Sequence, residues 1–209
     1  TRRASDLGVL SSAGESLTVR LCSRRSLEEV SSIYCDSDSH TSIALLQIVM
    51  KHLYGKNPKI LSSNIQQLGE FGSNWPDTIL IIGDKVVAHD LDAQYAYQLD
   101  LGQAWRDQTG VPFVFALWMG RADLDPQLVK KANMLLDRQL RYNMHRLEQV
   151  VSAQASSRGW ESDIALQYLT RNIQYTFNQE HVDSLTKFYE LAAACDVFDT
   201  IRPLSFYSD

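Results

Sequence analysis

The sequence has few of the features that mark several large classes of protein. Its 209 residues hold three cysteines, without a CxxC pair, and no apolar run approaches the roughly 20 residues that span a bilayer. The formal net charge is −5 and no cluster of Lys and Arg stands out, whereas nucleic-acid binding needs a positive stripe that neutralises phosphates. We therefore expect a soluble cytoplasmic protein with reduced thiols that binds neither nucleic acid nor a membrane.

Motifs of nucleotide-binding proteins and of α/β-hydrolases are also missing. The sequence has no GxGxxG, no GxxxxGK followed by Ser or Thr, and no GxSxG. Residues 89–92 (HDLD) offer one His and two carboxylates, which is weak evidence for a metal site, and a solvated loop is the simpler interpretation. The sequence thus predicts no cofactor and no metal.

The hydrophobic pattern alternates between the periods of strands and helices. Strands are predicted at residues 7–12, 17–22, 31–34, 79–82 and 112–118, and helices at residues 43–53, 101–108 and over much of the chain after residue 125. The unbroken apolar run at 79–82 is typical of a strand that is buried on both faces. This order predicts an α/β protein with parallel sheets and a helical C-terminal region.

Residues 36–42 (DSDSHTS) form the strongest candidate site, because they lie where a strand passes into a helix. Free amides at a helix N-terminus carry a partial positive charge that favours anions, and Asp38 or Ser39 could cap them. The candidate binding side chains are Ser39, His40, Thr41 and Ser42. His40 could also act as a general base. A well-capped helix without a ligand explains the same residues.

A second candidate follows the buried strand, at Gly83 and Asp84. Ligands of open α/β sheets lie beyond the carboxyl ends of the strands, and Gly lets the backbone approach a ligand closely. Asp84 could accept a hydrogen bond from a ligand hydroxyl. The alternative is a simple turn in which Asp84 bonds its own backbone.

Several stretches, in this order and spacing, resemble the chorismate dehydratase family of the futalosine route to menaquinone. They are residues 11–26, 36–50, 77–87, 97–121 and 164–198, and they begin with SSAGESLTVRLCSRRS and DSDSHTSIALLQIVM. The resemblance covers nearly the whole chain. Family members also carry an N-terminal strand–helix region with an Asn in its first loop, for which this sequence has no counterpart, so we expect that the chain lacks the family's N-terminal segment.

The resemblance implies a two-lobed fold like that of the type II periplasmic binding proteins. Residues 1–26 would form part of lobe 1 and a crossing strand, and residues 27–108 would form lobe 2. Residues 109–209 would supply the return strand and the helical part of lobe 1. LTVRLC and PFVFALW would be the crossing segments. The two lobes would close over a ligand in the cleft between them.

The implied reaction removes water from chorismate to give 3-(1-carboxyvinyloxy)benzoate. The ligand would be a small aromatic-precursor dicarboxylate, held by helix amides and hydroxyls rather than by a basic patch. The positions that match the family's binding segments are Ser12, Ser39, Thr41 and Ser42, with Gly83 and Asp84 as weaker candidates. The family often has Arg where His40 stands here.

Two other functions fit the same resemblance. One is the sister enzyme 1,4-dihydroxy-6-naphthoate synthase, which acts later in the same route. The other is a protein that closes on a small carboxylate without turning it over. The SHTS segment and the PFVFALW return favour the dehydratase over the sister enzyme. The sequence leaves open whether two chains form a homodimer.

Overall fold

The structure is a computed structural model that describes residues 2–36, 39–63, 72, 74–198, 200 and 203–207. Its strands are β1 (Arg2–Ser12), β2 (Val19–Ser23), β3 (Ser32–Asp36), β4 (Lys59–Ser63), β5 (Thr78–Ile82), β6 (Tyr97–Asp100) and β7 (Phe113–Arg121). Its α-helices are α1 (His40–Tyr54), α2 (Lys85–Ala88), α3 (Leu101–Thr109), α4 (Pro126–His145), α5 (Leu147–Gln154), α6 (Ser162–Gln167) and α7 (Gln179–Ala194). The predicted α/β class is confirmed.

Five strands form a mixed sheet in the order β4-β3-β5-β2-β6. Strands β3, β4 and β5 run parallel, whereas β2 is antiparallel to both of its neighbours, β5 and β6. The predicted parallel pairing is therefore correct for β3, β4 and β5 and wrong for β2. Neither β4 nor β6 was predicted, because each is only four or five residues long and has no strong strand signal of its own.

The other two strands form a separate antiparallel pair, β1 with β7. The chain passes between the two sheets at residues 13–18 and again at residues 110–112. Strand β2, which the family resemblance made a crossing segment, pairs inside the five-stranded sheet. The division into lobes at residues 26 and 108 stays a prediction.

Helix ends follow the local chemistry that the sequence indicates. Gly55 and Gly110 both adopt the left-handed conformation just after α1 and α3, where a side chain would be strained. Pro126 lies in the first turn of α4, and the Asp125 carboxylate accepts a hydrogen bond from the Gln127 amide. None of the described helices is long and apolar enough to cross a membrane.

The main core lies against one face of the five-stranded sheet and reaches into the rest of the chain. Trp105 of α3 is fully buried and makes edge-on contacts with Phe113 of β7 and Phe188 of α7, at ring-centroid distances of 5.3 and 6.1 Å. A second cluster, which includes Cys22, Trp75 and Ile79, also packs on this sheet. Because Trp105 contacts both Phe113 and Phe188, the five-stranded sheet and the β1–β7 pair share one hydrophobic core.

The three cysteines are free thiols, and two of them, Cys22 and Cys35, are buried. Burial raises the pKa of Cys22 and of Cys35 to about 12, so both remain protonated at neutral pH. They act as small apolar side chains of the core.

Helix α4 is amphipathic but has no buried residue along its length. Met134 and Leu135 are 64% and 65% exposed, and Trp118 and Met119 of β7 are 57% and 56% exposed. Exposed apolar side chains of this size are unusual when they occur together on one region of a protein. The region around β1, β7 and α4 is thus less completely packed than the five-stranded sheet.

Candidate functional site

A cavity of about 440 Å³ lies where the two sheets meet. Cavities of this size accept a small metabolite. The five-stranded sheet and α1 contribute Val19, Ser39, His40, Thr41, Ser42, Ile82 and Gly83. The facing part of the chain contributes Leu10, Phe115, Ala116, Tyr168 and Ile173, and Thr18 lies in the segment between the sheets.

The first turn of α1 forms one wall of the cavity. Its first amides have no partner inside the helix by the geometry of the α-helix, and they are the donors that would hold an anion. Ser42 is buried and His40 is exposed, so only part of the predicted segment faces the solvent. The Ser39 side chain caps no amide among the described residues, and Asp38, the other predicted cap, lies outside them.

Gly83 stands at the carboxyl end of β5 and takes a positive φ of 74°. Its amide donates to the Thr18 carbonyl at 2.8 Å, which fastens the turn after β5 to the segment between the sheets. Among the residues that the structure describes, no atom crowds the position of a Cβ on Gly83, so the positive φ is the reason that glycine suits this position.

One carboxylate holds the segment that carries Thr18. Asp100 accepts hydrogen bonds from the Ser16 amide at 2.9 Å, the Ser16 hydroxyl at 3.0 Å and the Leu17 amide at 2.8 Å. It also accepts from the Gln103 amide at the start of α3. Leu17 has a positive φ of 65°, an unusual conformation for a residue other than glycine that these bonds stabilise. Asp100 therefore fixes the backbone that precedes Thr18 and so the position of Thr18 in the cavity lining.

Two polar residues of the cavity, Thr18 and Tyr168, were not predicted from the sequence. The Thr18 hydroxyl donates to the phenol oxygen of Tyr168 at 3.3 Å, across 150 positions of sequence. Burial raises the pKa of Tyr168, although the Thr18 hydrogen bond acts in the opposite direction. Neither residue belongs to a local sequence motif, so their contact could be found only from the folded structure.

The structure brings five of the seven predicted site residues together, namely Ser39, His40, Thr41, Ser42 and Gly83. Ser12 and Asp84 do not line this cavity. Ser12 is fully buried, and its hydroxyl donates to the Gly14 carbonyl at 3.1 Å. The Asp84 carboxylate accepts from the Trp160 indole at 2.7 Å and lies in a neighbouring groove of about 310 Å³.

The lining of the cavity holds no Asp, Glu, Lys or Arg among the described residues. Its polar atoms are hydroxyls, the His40 imidazole and backbone groups, which orient a ligand by hydrogen bonds rather than by a salt bridge. The described residues also contain no group of three or more His, Cys, Asp or Glu side chains placed to hold a metal ion.

The fold and this geometry define a mixed α/β protein with a hydroxyl-lined cavity between its two sheets. A family model described as menaquinone biosynthesis matches residues 3–194, and the chain therefore belongs to this menaquinone biosynthesis family. The predicted resemblance to the chorismate dehydratases is confirmed. The family assignment gives the chain a role in making menaquinone.

Two known proteins are similar to this chain. A chorismate dehydratase from Thermus thermophilus is 25% identical over 194 residues, which is 85% of this chain and 68% of the relative. A crystal structure of protein AF1704 from Archaeoglobus fulgidus superimposes with a TM-score of 0.76 and 16% identity, covering 94% of this chain and 74% of that one. At this identity the second likeness concerns the fold alone.

Proposed function

We propose that the chain is a chorismate dehydratase that binds chorismate in the cavity between the two sheets. The observation that carries the proposal is the meeting of Ser39, Thr41, Ser42 and Gly83 around one cavity, in a chain of the menaquinone biosynthesis family. The cavity volume and the hydroxyl-rich lining suit a small dicarboxylate that bears a hydroxyl group.

In this proposal the two sheets are the centres of two lobes of a fold like that of the type II periplasmic binding proteins. The two passages of the chain at residues 13–18 and 110–112 would act as the connections between the lobes. The first turn of α1 would bind a carboxylate of the substrate through its amides and through Thr41 and Ser42.

The reaction is an elimination that produces an aromatic ring. A proton leaves the ring carbon that bears the enolpyruvyl ether, the adjacent hydroxyl leaves as water, and a ring double bond forms. Aromatisation drives this step, so the protein has to orient the substrate, exclude water and stabilise charge. No redox partner is needed, since the substrate loses only the elements of water.

The first experiment incubates the purified chain with chorismate and follows 3-(1-carboxyvinyloxy)benzoate by chromatography. Formation of the product supports the proposal. Binding of chorismate by calorimetry without turnover would identify a non-catalytic carboxylate-binding protein. A folded sample that neither binds nor converts chorismate would overturn the proposal and its cavity assignment.

The second experiment tests the position of the site. Replacing Thr41→Ala and Ser42→Ala together removes two hydroxyls from the first turn of α1, so we expect product affinity to fall about tenfold to a hundredfold. A matched double variant, Ser152→Ala with Thr186→Ala, removes exposed helix hydroxyls elsewhere and should bind normally. Because Ser42 is buried, thermal unfolding checks that both variants fold. Equal affinity in the two double variants would remove α1 from the site.

A further inference from the structure

Tyr168, which lines the cavity, lies in a backbone segment of rare conformation. It begins a π-helical segment, Tyr168–Asn172, in which the Ile173 amide donates to the Tyr168 carbonyl at 3.1 Å. The Asn172 side chain is buried and donates to the Glu15 carbonyl at 2.9 Å, so this segment is fastened to the passage between the sheets. Short π-helical segments cost stability and are frequent at functional sites.

The surroundings of the ring direct its hydroxyl towards the cavity. The ring packs on Trp160 at a centroid distance of 5.0 Å, on the side of the neighbouring groove. The phenol oxygen accepts from Thr18, which lines the cavity and not the groove. With Thr18 as donor, the phenol proton stays available to a molecule in the cavity.

The chemistry of this phenol suits a proton donor. Burial raises the pKa of Tyr168, so the group stays protonated at neutral pH. The other hydroxyls of the cavity lining belong to Ser and Thr, which are weaker acids than a phenol. Departure of a hydroxyl group from carbon is much easier when an acid protonates the oxygen as the bond breaks.

We propose that Tyr168 is a catalytic residue that donates a hydrogen bond, and then its proton, to the hydroxyl group of the substrate that leaves as water. This inference rests on the proposed function. The ring C–H bond at the ether carbon breaks, its proton passes to a solvent water molecule, and its electron pair forms the new ring double bond. The C–O bond to the hydroxyl breaks, and its oxygen takes the Tyr168 proton and departs as water. A proton from solvent restores the phenol.

The test compares Tyr168→Phe with the wild-type chain and with Tyr175→Phe. Tyr175 is a half-buried tyrosine near the same segment that does not line the cavity, and burial raises its pKa to about 12. In Tyr168→Phe we expect kcat to fall about a hundredfold or more, the usual contribution of a general acid. Product affinity should stay within about twofold, because the product no longer carries the hydroxyl.

Thr18→Val should lower kcat less, about three- to tenfold, since the Thr18 hydroxyl only orients the phenol.

Each outcome decides the role of Tyr168. Unchanged kcat in Tyr168→Phe overturns the proposal, and so does an equal loss of kcat and product affinity, which would mean that the phenol only holds the ligand. A similar loss in Tyr175→Phe would show a structural effect of the segment instead. If the wild-type chain binds chorismate without turnover, the proposed reaction fails, and Tyr168 is then tested by affinity. Tyr168→Phe should weaken chorismate about tenfold and leave the product unaffected, and equal affinities would overturn the contact.

Discussion

Helices α1 and α4 show how differently the two parts of this molecule are built. Helix α1 has 15 residues, seven of them buried, and lies against the five-stranded sheet. Helix α4 has 20 residues and none is buried, although its sequence is also amphipathic. An apolar stripe makes a helix suitable for packing, but the amount of surface it buries depends on what faces it.

The sheets account for this difference. Five paired strands present a broad surface that α1 and α3 cover, and Leu21, Ile33 and Leu80 become fully buried beneath them. The β1–β7 pair is narrow, and a two-stranded sheet buries little surface by itself. The stability of the molecule should therefore reside mainly in the five-stranded part, while the cavity draws its lining from both parts.

The largest effect that we predict compares two tryptophans. Trp105→Ala should lower the free energy of unfolding by about 3–5 kcal/mol, because this ring fills the core that joins the two sheets. Trp118→Ala, on the exposed face of β7, should cost about 1 kcal/mol or less. Urea denaturation followed by circular dichroism measures both. Similar losses would mean that the exposed face of β7 is covered in solution, and the contrast between the two parts would then disappear.

A smaller effect concerns His181, which links α7 to β1 in the less packed part. Its Nε2 lies 2.9 Å from the Ser11 hydroxyl, and its Nδ1 accepts from the Asn178 amide at 3.1 Å. Burial lowers the pKa of His181 below its usual value near 6.5, so the unfolded chain takes up a proton more readily than the native one. The contribution of neutral His181 to stability is thus complete above about pH 6.5 and is lost as the pH falls towards the native pKa.

Urea denaturation from pH 5 to pH 8 tests this link. His181→Gln should lower the free energy of unfolding by about 1–3 kcal/mol at pH 7 and weaken its dependence on pH. His52→Gln changes an exposed histidine of α1 and should follow the wild-type pH profile. Parallel profiles for the wild type and His181→Gln would show that His181 does not report on the packing of α7 against β1.

The smallest effect concerns the hydrogen bond between the turn after β5 and the C-terminal helices. Asp84→Ala removes the acceptor of the Trp160 indole and should cost about 1 kcal/mol in the free energy of unfolding. Product affinity should stay within about twofold, because Asp84 does not line the cavity. Thermal unfolding and calorimetry measure the two quantities. A large loss of affinity would restore the binding role that the sequence suggested for Asp84.

Much of the local structure was predictable from the sequence because it depends on neighbouring residues. The left-handed glycines after α1 and α3, the proline in the first turn of α4 and the buried strand β5 all follow from such patterns. The short strands β4 and β6 did not, since their conformation depends on pairing with distant strands rather than on their own composition.

The site divides in the same way. The first turn of α1 and Gly83 were identified because a helix start and a strand end have recognisable sequences and a general affinity for ligands. Thr18 and Tyr168 were missed because they lie 150 positions apart in the sequence. Asp84 binds the Trp160 indole instead of lining the cavity, and this contact depends on tertiary packing rather than on the local sequence.

The sequence by itself determined the α/β class, the family and the half of the cavity that α1 and β5 provide, because these rest on local pattern and on a family match that spans residues 3–194. The tertiary structure alone decided that β2 runs antiparallel between β5 and β6, and that α4 stays exposed while α1 is buried. It also decided that Tyr168 completes the cavity. These features arise from contacts between distant segments, whose energies depend on the whole fold rather than on any stretch of the chain.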